Sequence, residues 1–86
     1  MARIKVYTRG AGCFYCASAK RLLEQRDVPY EEVRIDAYSA EQLAELCGRT
    51  KMRTVPQIIL DDQEVIGGFD DLSALDQKEG GLDRLK

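Results

Sequence analysis

The sequence predicts an α/β domain in which a βαβ unit is followed by a ββα unit around a four-stranded mixed sheet. Apolar stretches on either side of a helical pattern predict the βαβ unit in the first half of the chain. Two short apolar stretches joined by a turn, with a helical pattern after them, predict the ββα unit in the second half. Since 86 residues suit one modest core, we expect residues 1–86 to form a single domain.

The first half of the chain is predicted to fold as strand, helix and strand. Residues 3–8 form the first strand, and one of its faces carries Ile4, Val6 and Thr8. A helix over about residues 15–26 follows, with small or apolar residues at helical spacing: Cys16, Ala19, Leu22 and Leu23. Pro29 separates it from a second strand at residues 30–35. Because βαβ strands are parallel, the loop after the first strand opens at the carboxyl edge of the sheet.

A second helix is predicted from Ser39 onward. The Ser39 hydroxyl caps its N-terminus, and Gln42 completes a capping box three residues later. The buried stripe of this helix is formed by Leu43, Leu46 and Cys47. Cys47 is therefore predicted to be a small core hydrophobe and not a catalytic thiol. The helix ends at Gly48, or about one turn later if that glycine is tolerated inside it.

A hairpin and a third helix are predicted after Pro56. Residues 57–60 form an apolar strand, and residues 64–66 return as its antiparallel partner. Asp61-Asp62 forms the turn between these strands, and Gly67-Gly68 ends the second of them. A third helix follows, with Asp70 and Asp71 at its start and with Leu72 and Leu75 facing inward. Gly80-Gly81 ends this helix, and residues 82–86 form a tail turn.

Composition and charge exclude several classes of function. The 13 basic and 15 acidic residues give a net charge of −2 with no basic run, which argues against nucleic-acid binding. No apolar run approaches a membrane span, and the first strand begins too early for a signal peptide, so we expect a cytoplasmic protein. We also expect it to act as a monomer. The absence of histidine excludes Cys–His catalytic pairs and imidazole zinc sites.

Cys13 and Cys16 form a Cys-x-x-Cys motif where the first strand meets the first helix. Because the cytoplasm keeps thiols reduced, such a pair is more often catalytic or metal-binding than part of a structural disulfide. A zinc site would need Cys13, Cys16, Cys47 and a carboxylate, without the second closely spaced ligand pair that structural zinc sites usually have. A thiol at a helix N-terminus faces unpaired N–H groups that favour the thiolate. Cys13 is therefore the predicted reactive thiol, and Cys16, one turn further on, its resolving partner.

Three segments together resemble the glutaredoxin family. They are Cys13-Phe14-Tyr15-Cys16, Thr54-Val55-Pro56-Gln57 and Gly67-Gly68-Phe69-Asp70-Asp71-Leu72, and the resemblance runs over essentially the whole chain. It implies a thioredoxin-like fold and a glutathione-dependent thiol–disulfide oxidoreductase that reduces glutathione mixed disulfides and protein disulfides. Ribonucleotide reductase is the kind of protein partner that the family implies.

The resemblance also implies a set of glutathione-binding residues. Thr54, Val55 and Pro56 correspond to the cis-proline loop, in which Val55 offers its backbone N–H and C=O to glutathione. The alternative is that Pro56 merely starts a strand. Tyr15 corresponds to the aromatic residue that borders the glutathione site, although its position also suits an ordinary exposed aromatic.

The two ends of glutathione have their own implied contacts. Gly68, Phe69 and Asp70 correspond to the γ-glutamyl site, with Asp70 as the partner of the ammonium group or, alternatively, as an ordinary N-cap. Arg9 and Arg53 correspond to the basic residues that meet the glycyl carboxylate. Arg9 stands where the family usually has lysine and lies one residue further from Cys13 than is usual, so Lys51 and Arg49 remain nearby substitutes.

Phe14 is the main departure from the family pattern, since dithiol glutaredoxins commonly have proline there. Glutaredoxins without that proline suggest an alternative function, an iron–sulfur carrier in which Cys13 of two subunits and two glutathione thiols hold a [2Fe–2S] cluster. A third alternative is a thioredoxin-type reductant fed directly by a flavoprotein. The resemblance of residues 67–71 to a glutathione site disfavours it.

Overall fold

The elements follow the predicted order in a computed structural model that describes residues 2–9, 13–52 and 54–86. The strands are β1 (Ile4–Thr8), β2 (Tyr30–Arg34), β3 (Gln57–Leu60) and β4 (Glu64–Gly67). The helices are α1 (Phe14–Gln25), α2 (Ala40–Thr50) and α3 (Phe69–Asp76), with short 3-10 turns at Ile35–Ala37 and Asp83–Leu85. The predicted βαβ and ββα units are confirmed.

The four strands form one mixed sheet in the order β2-β1-β3-β4. β1 pairs with β2 in parallel and with β3 in antiparallel orientation, and β3 pairs with β4 in antiparallel orientation. Tyr7 lies opposite Gln57, and Ile58 lies opposite Gly67. The end of β1, the start of β3 and the end of β4 therefore meet at one edge of the sheet.

Helices cover both faces of the sheet. The larger core lies against α1 and α3 and contains Ile4, Val6, Ala19, Leu23, Val28, Ile58, Leu60, Leu72, Leu82 and Leu85. The smaller core on the other face contains Tyr7, Ile35, Leu46 and Ile59, with Leu46 supplied by α2. All four residues of β3 are buried, which explains why this strand reads as an unbroken apolar run after its glutamine.

The capping box predicted for α2 is present. The N–H of Gln42 donates to the Ser39 hydroxyl, and the Gln42 side chain accepts from the Ser39 N–H. The helix continues past Gly48 to Thr50, and Lys51 takes the left-handed conformation that ends it. The later of the two predicted endpoints is therefore nearer the observed one. Cys47 is only half-buried, because the fully buried positions of this helix are Leu46 and Thr50.

Other predicted boundaries shift by one or a few residues. α1 begins at Phe14, one residue earlier than predicted, and β2 ends at Arg34, one residue earlier, because Ile35 turns into the smaller core. The prediction that α3 runs to Gly80-Gly81 is wrong, since the helix ends at Asp76. Gly80 and Gly81 instead take positive φ angles in a separate turn. That turn brings the end of the chain back onto the sheet.

The predicted tail turn is part of the core. Leu82 and Leu85 are 2% and 0% exposed. The Arg3 guanidinium donates to the backbone carbonyls of Arg84 and Lys86, so the start of the chain holds its end in place.

Candidate active site

Cys13 and Cys16 are joined as a disulfide at the start of α1, with their Cα atoms 5.2 Å apart. Cys13 is the N-cap of the helix, and its sulfur accepts a hydrogen bond from the backbone N–H of Cys16 at 3.2 Å. Cys16 is only 3% exposed, whereas Cys13 is partly open to solvent. The pair is therefore redox-active in geometry, and Cys13 is the sulfur that an incoming reactant can reach.

A cleft of about 450 Å³ reaches Tyr15, which lies between the two cysteines in the sequence. It is lined by Tyr15, Met52, Thr54, Val55, Pro56, Gly68, Phe69, Asp70 and Asp71. The Val55–Pro56 peptide bond is cis, and Pro56 directly precedes β3. The cleft thus joins the start of α1, the loop before β3 and the start of α3, which are far apart in sequence.

The start of α3 forms one wall of the cleft. Gly68 is the N-cap, and its backbone N–H donates to the Asp71 carboxylate at 3.0 Å. Asp70 is exposed and is not the N-cap, so the alternative role weighed for it is wrong. Asp70 lies in the first turn of α3, where the N–H groups of a helix lack intrahelical partners. An acidic side chain next to free N–H groups suits a ligand that carries both an ammonium and a carboxylate.

Aromatic side chains border the cleft. Tyr15 is 57% exposed, and its ring centroid lies 6.3 Å from that of Phe69. Phe14 is 76% exposed and meets Tyr15 edge to face, with ring centroids 5.7 Å apart. Tyr15 and Phe69 thus give the cleft aromatic walls, while Phe14 packs against Tyr15 without lining the cleft.

The basic residues predicted from the sequence do not line the cleft among the described residues. Arg9 is exposed after β1 and is not among the described residues that line the cleft. Arg53 lies outside the described residues. The Arg49 guanidinium donates to the Asp62 carbonyl in the β3–β4 turn, and Arg49 is not among the described residues that line the cleft. Lys51 is exposed at the end of α2.

The structure brings together most of the sequence-predicted site and adds two residues. Tyr15, Thr54, Val55, Pro56, Gly68, Phe69 and Asp70 all line the cleft, beside Cys13 and Cys16 at the start of α1. Met52 and Asp71 were missed as lining residues. Asp71 had a usable signal, since an acid three residues after an N-cap typically accepts its N–H. Met52 had none, because its place depends on how the loop folds back.

A charged network lies on the α1 face of the sheet. Thr8 donates to the Glu32 carboxylate at 2.7 Å, and the Lys20 ammonium bridges both oxygens of that carboxylate. The hydrogen bond from Thr8, followed by those from Lys20, holds the pKa of Glu32 below its usual value. This network ties α1 to β1 and β2.

The described residues contain neither a clustered set of metal ligands nor a helix able to span a membrane. Within residues 2–9, 13–52 and 54–86, no group of three or more His, Cys, Asp or Glu side chains is arranged to hold a metal ion. Among these same residues, no helix has both the length and the apolar character needed to cross a membrane.

Comparison with known proteins identifies the family. The glutaredoxin family model matches residues 4–65. Glutaredoxin 3 of Escherichia coli strain K12 is 47% identical over 87 residues, covering 99% of this chain and 98% of that protein.

Solved structures agree in fold. A solution structure of glutaredoxin from Brucella melitensis is 41% identical, with a TM-score of 0.77 over 99% of this chain and 88% of that one. A crystal structure of a buckwheat glutaredoxin–glutathione complex is 27% identical, with a TM-score of 0.81 over 98% of this chain and 76% of that one. This chain belongs to the glutaredoxin family of thiol–disulfide oxidoreductases and has its thioredoxin-like fold.

Proposed function

We propose that this protein uses glutathione to reduce mixed disulfides and protein disulfides through Cys13 and Cys16. The observation that carries the proposal is the cleft beside the disulfide, which is built from Tyr15, the Val55–Pro56 loop and the start of α3. A similar chain, the buckwheat protein, is described as a glutathione complex. The cytoplasm, where glutathione is abundant and reduced, is the compartment that suits this activity.

Glutathione would lie along the cleft as an extended peptide. The backbone of Val55 would pair with its cysteinyl residue, as a strand pairs with a sheet edge. The Asp70 carboxylate would take the γ-glutamyl ammonium, and the N–H groups at the start of α3 would take the γ-glutamyl carboxylate. Arg9 and Arg53 would meet the glycyl carboxylate. Tyr15 and Phe69 would cover the apolar part of the peptide.

Cys13 would be the nucleophile toward a glutathione mixed disulfide. Its thiolate attacks the glutathionyl sulfur, forms a Cys13–glutathione disulfide and releases the substrate as a thiolate. A second glutathione thiolate then attacks the glutathionyl sulfur of that disulfide. Oxidised glutathione leaves, and the Cys13 thiolate is restored. Cys16 takes no part in this route.

Protein disulfides would require both cysteines. The Cys13 thiolate attacks one sulfur of the substrate disulfide, and the Cys16 thiolate then attacks Cys13 to release the reduced protein. The resulting Cys13–Cys16 disulfide is the state that the structure describes. Two glutathione molecules return it to the dithiol. Ribonucleotide reductase is a protein substrate of the kind that this chemistry serves, and the protein would act as a monomer.

The test compares wild type, Cys13→Ser and Cys16→Ser in reduction of a glutathionylated peptide and of a protein disulfide, with glutathione as the reductant. We expect Cys13→Ser to lose both activities. Cys16→Ser should keep reduction of the peptide and lose reduction of the protein disulfide. Wild-type activity that does not depend on glutathione would contradict the proposal and favour a thioredoxin-type reductant.

A visible spectrum of the same freshly purified protein tests the cluster-carrier alternative. An inactive wild type with a charge-transfer band that requires glutathione would replace the proposed function with iron–sulfur binding through Cys13. A colourless, active protein is the expected result.

A further inference from the structure

Gln57 is a buried polar residue directly behind the proline loop. It is the first residue of β3, lies opposite Tyr7 in the sheet and is only 1% exposed. A buried amide at this position is costly unless its hydrogen-bonding groups are used. Its contacts therefore indicate why the position carries an amide.

Both contacts of the Gln57 amide nitrogen are with the loop before β3. The nitrogen donates to the backbone carbonyl of Thr54 at 3.1 Å and to that of Met52 at 3.3 Å. A primary amide carries two N–H groups, so it can serve both carbonyls at once. The orientation of the amide follows from its surroundings, because the opposite flip would direct an oxygen at two carbonyl oxygens.

The oxygen of the same amide makes no comparable contact. Oε1 is buried without a hydrogen-bond partner among residues 2–9, 13–52 and 54–86. An apolar side chain of the same size would avoid that unpaired acceptor. The amide is thus explained by its two donors and by the loop that they hold.

The loop that Gln57 holds is a wall of the cleft. Met52 and Thr54 both line it, together with Val55 and Pro56. Thr50 adds a second restraint from α2, since its hydroxyl accepts from the Met52 N–H at 3.2 Å. With the Met52 and Thr54 carbonyls held from behind, this wall of the cleft is in position before a ligand arrives.

We propose that Gln57 is a positioning residue that pre-organises the wall of the cleft for glutathione by holding the Met52 and Thr54 carbonyls. This inference rests on the proposed use of glutathione. If this wall of the cleft has to become ordered when the ligand binds, the affinity for the ligand falls, but the reactivity of the Cys13 sulfur does not change. Loss of the two donors should therefore raise KM for a glutathionylated peptide and leave kcat and the reactivity of Cys13 nearly unchanged.

The test variant is Gln57→Met, which has similar length and no donors. Gln63→Met is the matched control, because Gln63 is exposed in the β3–β4 turn at the other end of β3. For Gln57→Met we expect KM for a glutathionylated peptide to rise roughly five- to tenfold, with kcat within about twofold of wild type. The rate at which iodoacetamide alkylates reduced Cys13 should also stay within about twofold, since this reagent does not need the cleft.

Gln57→Asn keeps the amide and shortens it by one methylene group, so it can reach at most one of the two carbonyls. We expect its KM to lie between those of wild type and Gln57→Met. If Gln57→Met fails to fold, the Gln57→Asn result decides. An unchanged KM would overturn the inference, and so would losses of kcat and of the alkylation rate that match the change in KM, because these indicate a general structural role.

The two proposals fail in different ways. If wild type and Gln63→Met show no glutathione-dependent reduction of the glutathionylated peptide, the proposed function is wrong and the role of Gln57 falls with it. If both are active and the Gln57 variants have the same KM and kcat as they do, only the role of Gln57 is overturned.

Discussion

The backbone N–H of Cys16 donates to the sulfur of Cys13 at 3.2 Å, while the Cys16 side chain is 3% exposed. The two parts of Cys16 thus have separate roles in the proposed chemistry. Its main chain stabilises charge on the Cys13 sulfur, and its shielded thiol is reserved for attack on a disulfide already formed with Cys13. A substrate meets Cys13 first.

Cys16→Ser should leave the charge on Cys13 intact, because the stabilising donor is a main-chain group. In a Cys47→Ser background, the rate at which iodoacetamide alkylates Cys13 at neutral pH should change by less than about twofold. The matched comparison is the Cys47→Ser single variant in reduced form. A severalfold slower alkylation would assign the stabilisation to the Cys16 side chain instead.

A comparison of Asp71→Ala with Asp70→Ala separates two effects on stability: the N-terminal cap of α3, and the negative charge in its first turn. Both variants remove a carboxylate from the first turn, but only Asp71 accepts the Gly68 N–H. We expect Asp71→Ala to lower the free energy of unfolding by about 1 kcal/mol more than Asp70→Ala does. Asp70→Ala should raise KM for a glutathionylated peptide more strongly. Urea unfolding and steady-state kinetics measure the two effects, and equal losses of stability would contradict the assignment of the cap.

Two glycine-to-alanine substitutions should act in opposite directions. Gly67 has a φ of +121°, and an added Cβ would collide with the Asp71 side chain, so Gly67→Ala should destabilise by about 1–3 kcal/mol. Gly48 lies inside α2, and beyond its chain neighbours and the backbone of its own helix no atom lies within 4 Å of a new Cβ. Gly48→Ala should stabilise by about 0.5–1 kcal/mol. Thermal and urea unfolding test both, and a stabilised Gly67→Ala would show that the position accepts an ordinary residue.

Glu32 should contribute to a fall in the free energy of unfolding at acidic pH. Its pKa is lowered in the fold by Thr8 and then Lys20, so its contribution is present above the ordinary carboxyl pKa and is lost as the pH falls through the lowered value. Because the ion pair is partly exposed, we expect at most about 1 kcal/mol. Glu32→Gln should therefore flatten the decline in unfolding free energy from about pH 5 to pH 3. Glu31→Gln, which removes the exposed neighbouring carboxylate of β2, is the control for loss of a surface charge alone.

Leu85→Ala should cost about 2–5 kcal/mol, because it opens a cavity at a fully buried position near the end of the chain. Val65→Ala, at a side chain 38% exposed on β4, should change stability by about 0.5 kcal/mol or less. Urea unfolding distinguishes them. Similar small effects for both would mean that the C-terminal turn is not part of the core.

Features set by neighbouring residues could be predicted from the sequence. The capping box of Ser39 and Gln42 and the Asp61-Asp62 turn depend on groups a few residues apart, and both occur as predicted. The position of Cys13 at the start of α1 follows from the same kind of local pattern.

Features set by distant contacts could not be predicted. The burial of Leu82 and Leu85 requires the sheet and α1 to exist first, so their short, polar surroundings predict only a turn. The pairing of Arg49 with the Asp62 carbonyl depends on how α2 crosses the sheet. The amide of Gln57 faces a loop whose path no periodicity encodes.

The strand order has a consequence for folding equilibria. The dithiol belongs to the N-terminal βαβ unit, but the cleft also needs residues delivered by β3 and β4, which join the sheet through β1. A fluctuation that detaches the β3–β4 hairpin from β1 would thus leave Cys13 and Cys16 at α1 but would take the cleft apart. Any peptide held in the cleft would oppose that partial unfolding by mass action, so occupancy of the site and the integrity of the β1–β3 seam are thermodynamically linked.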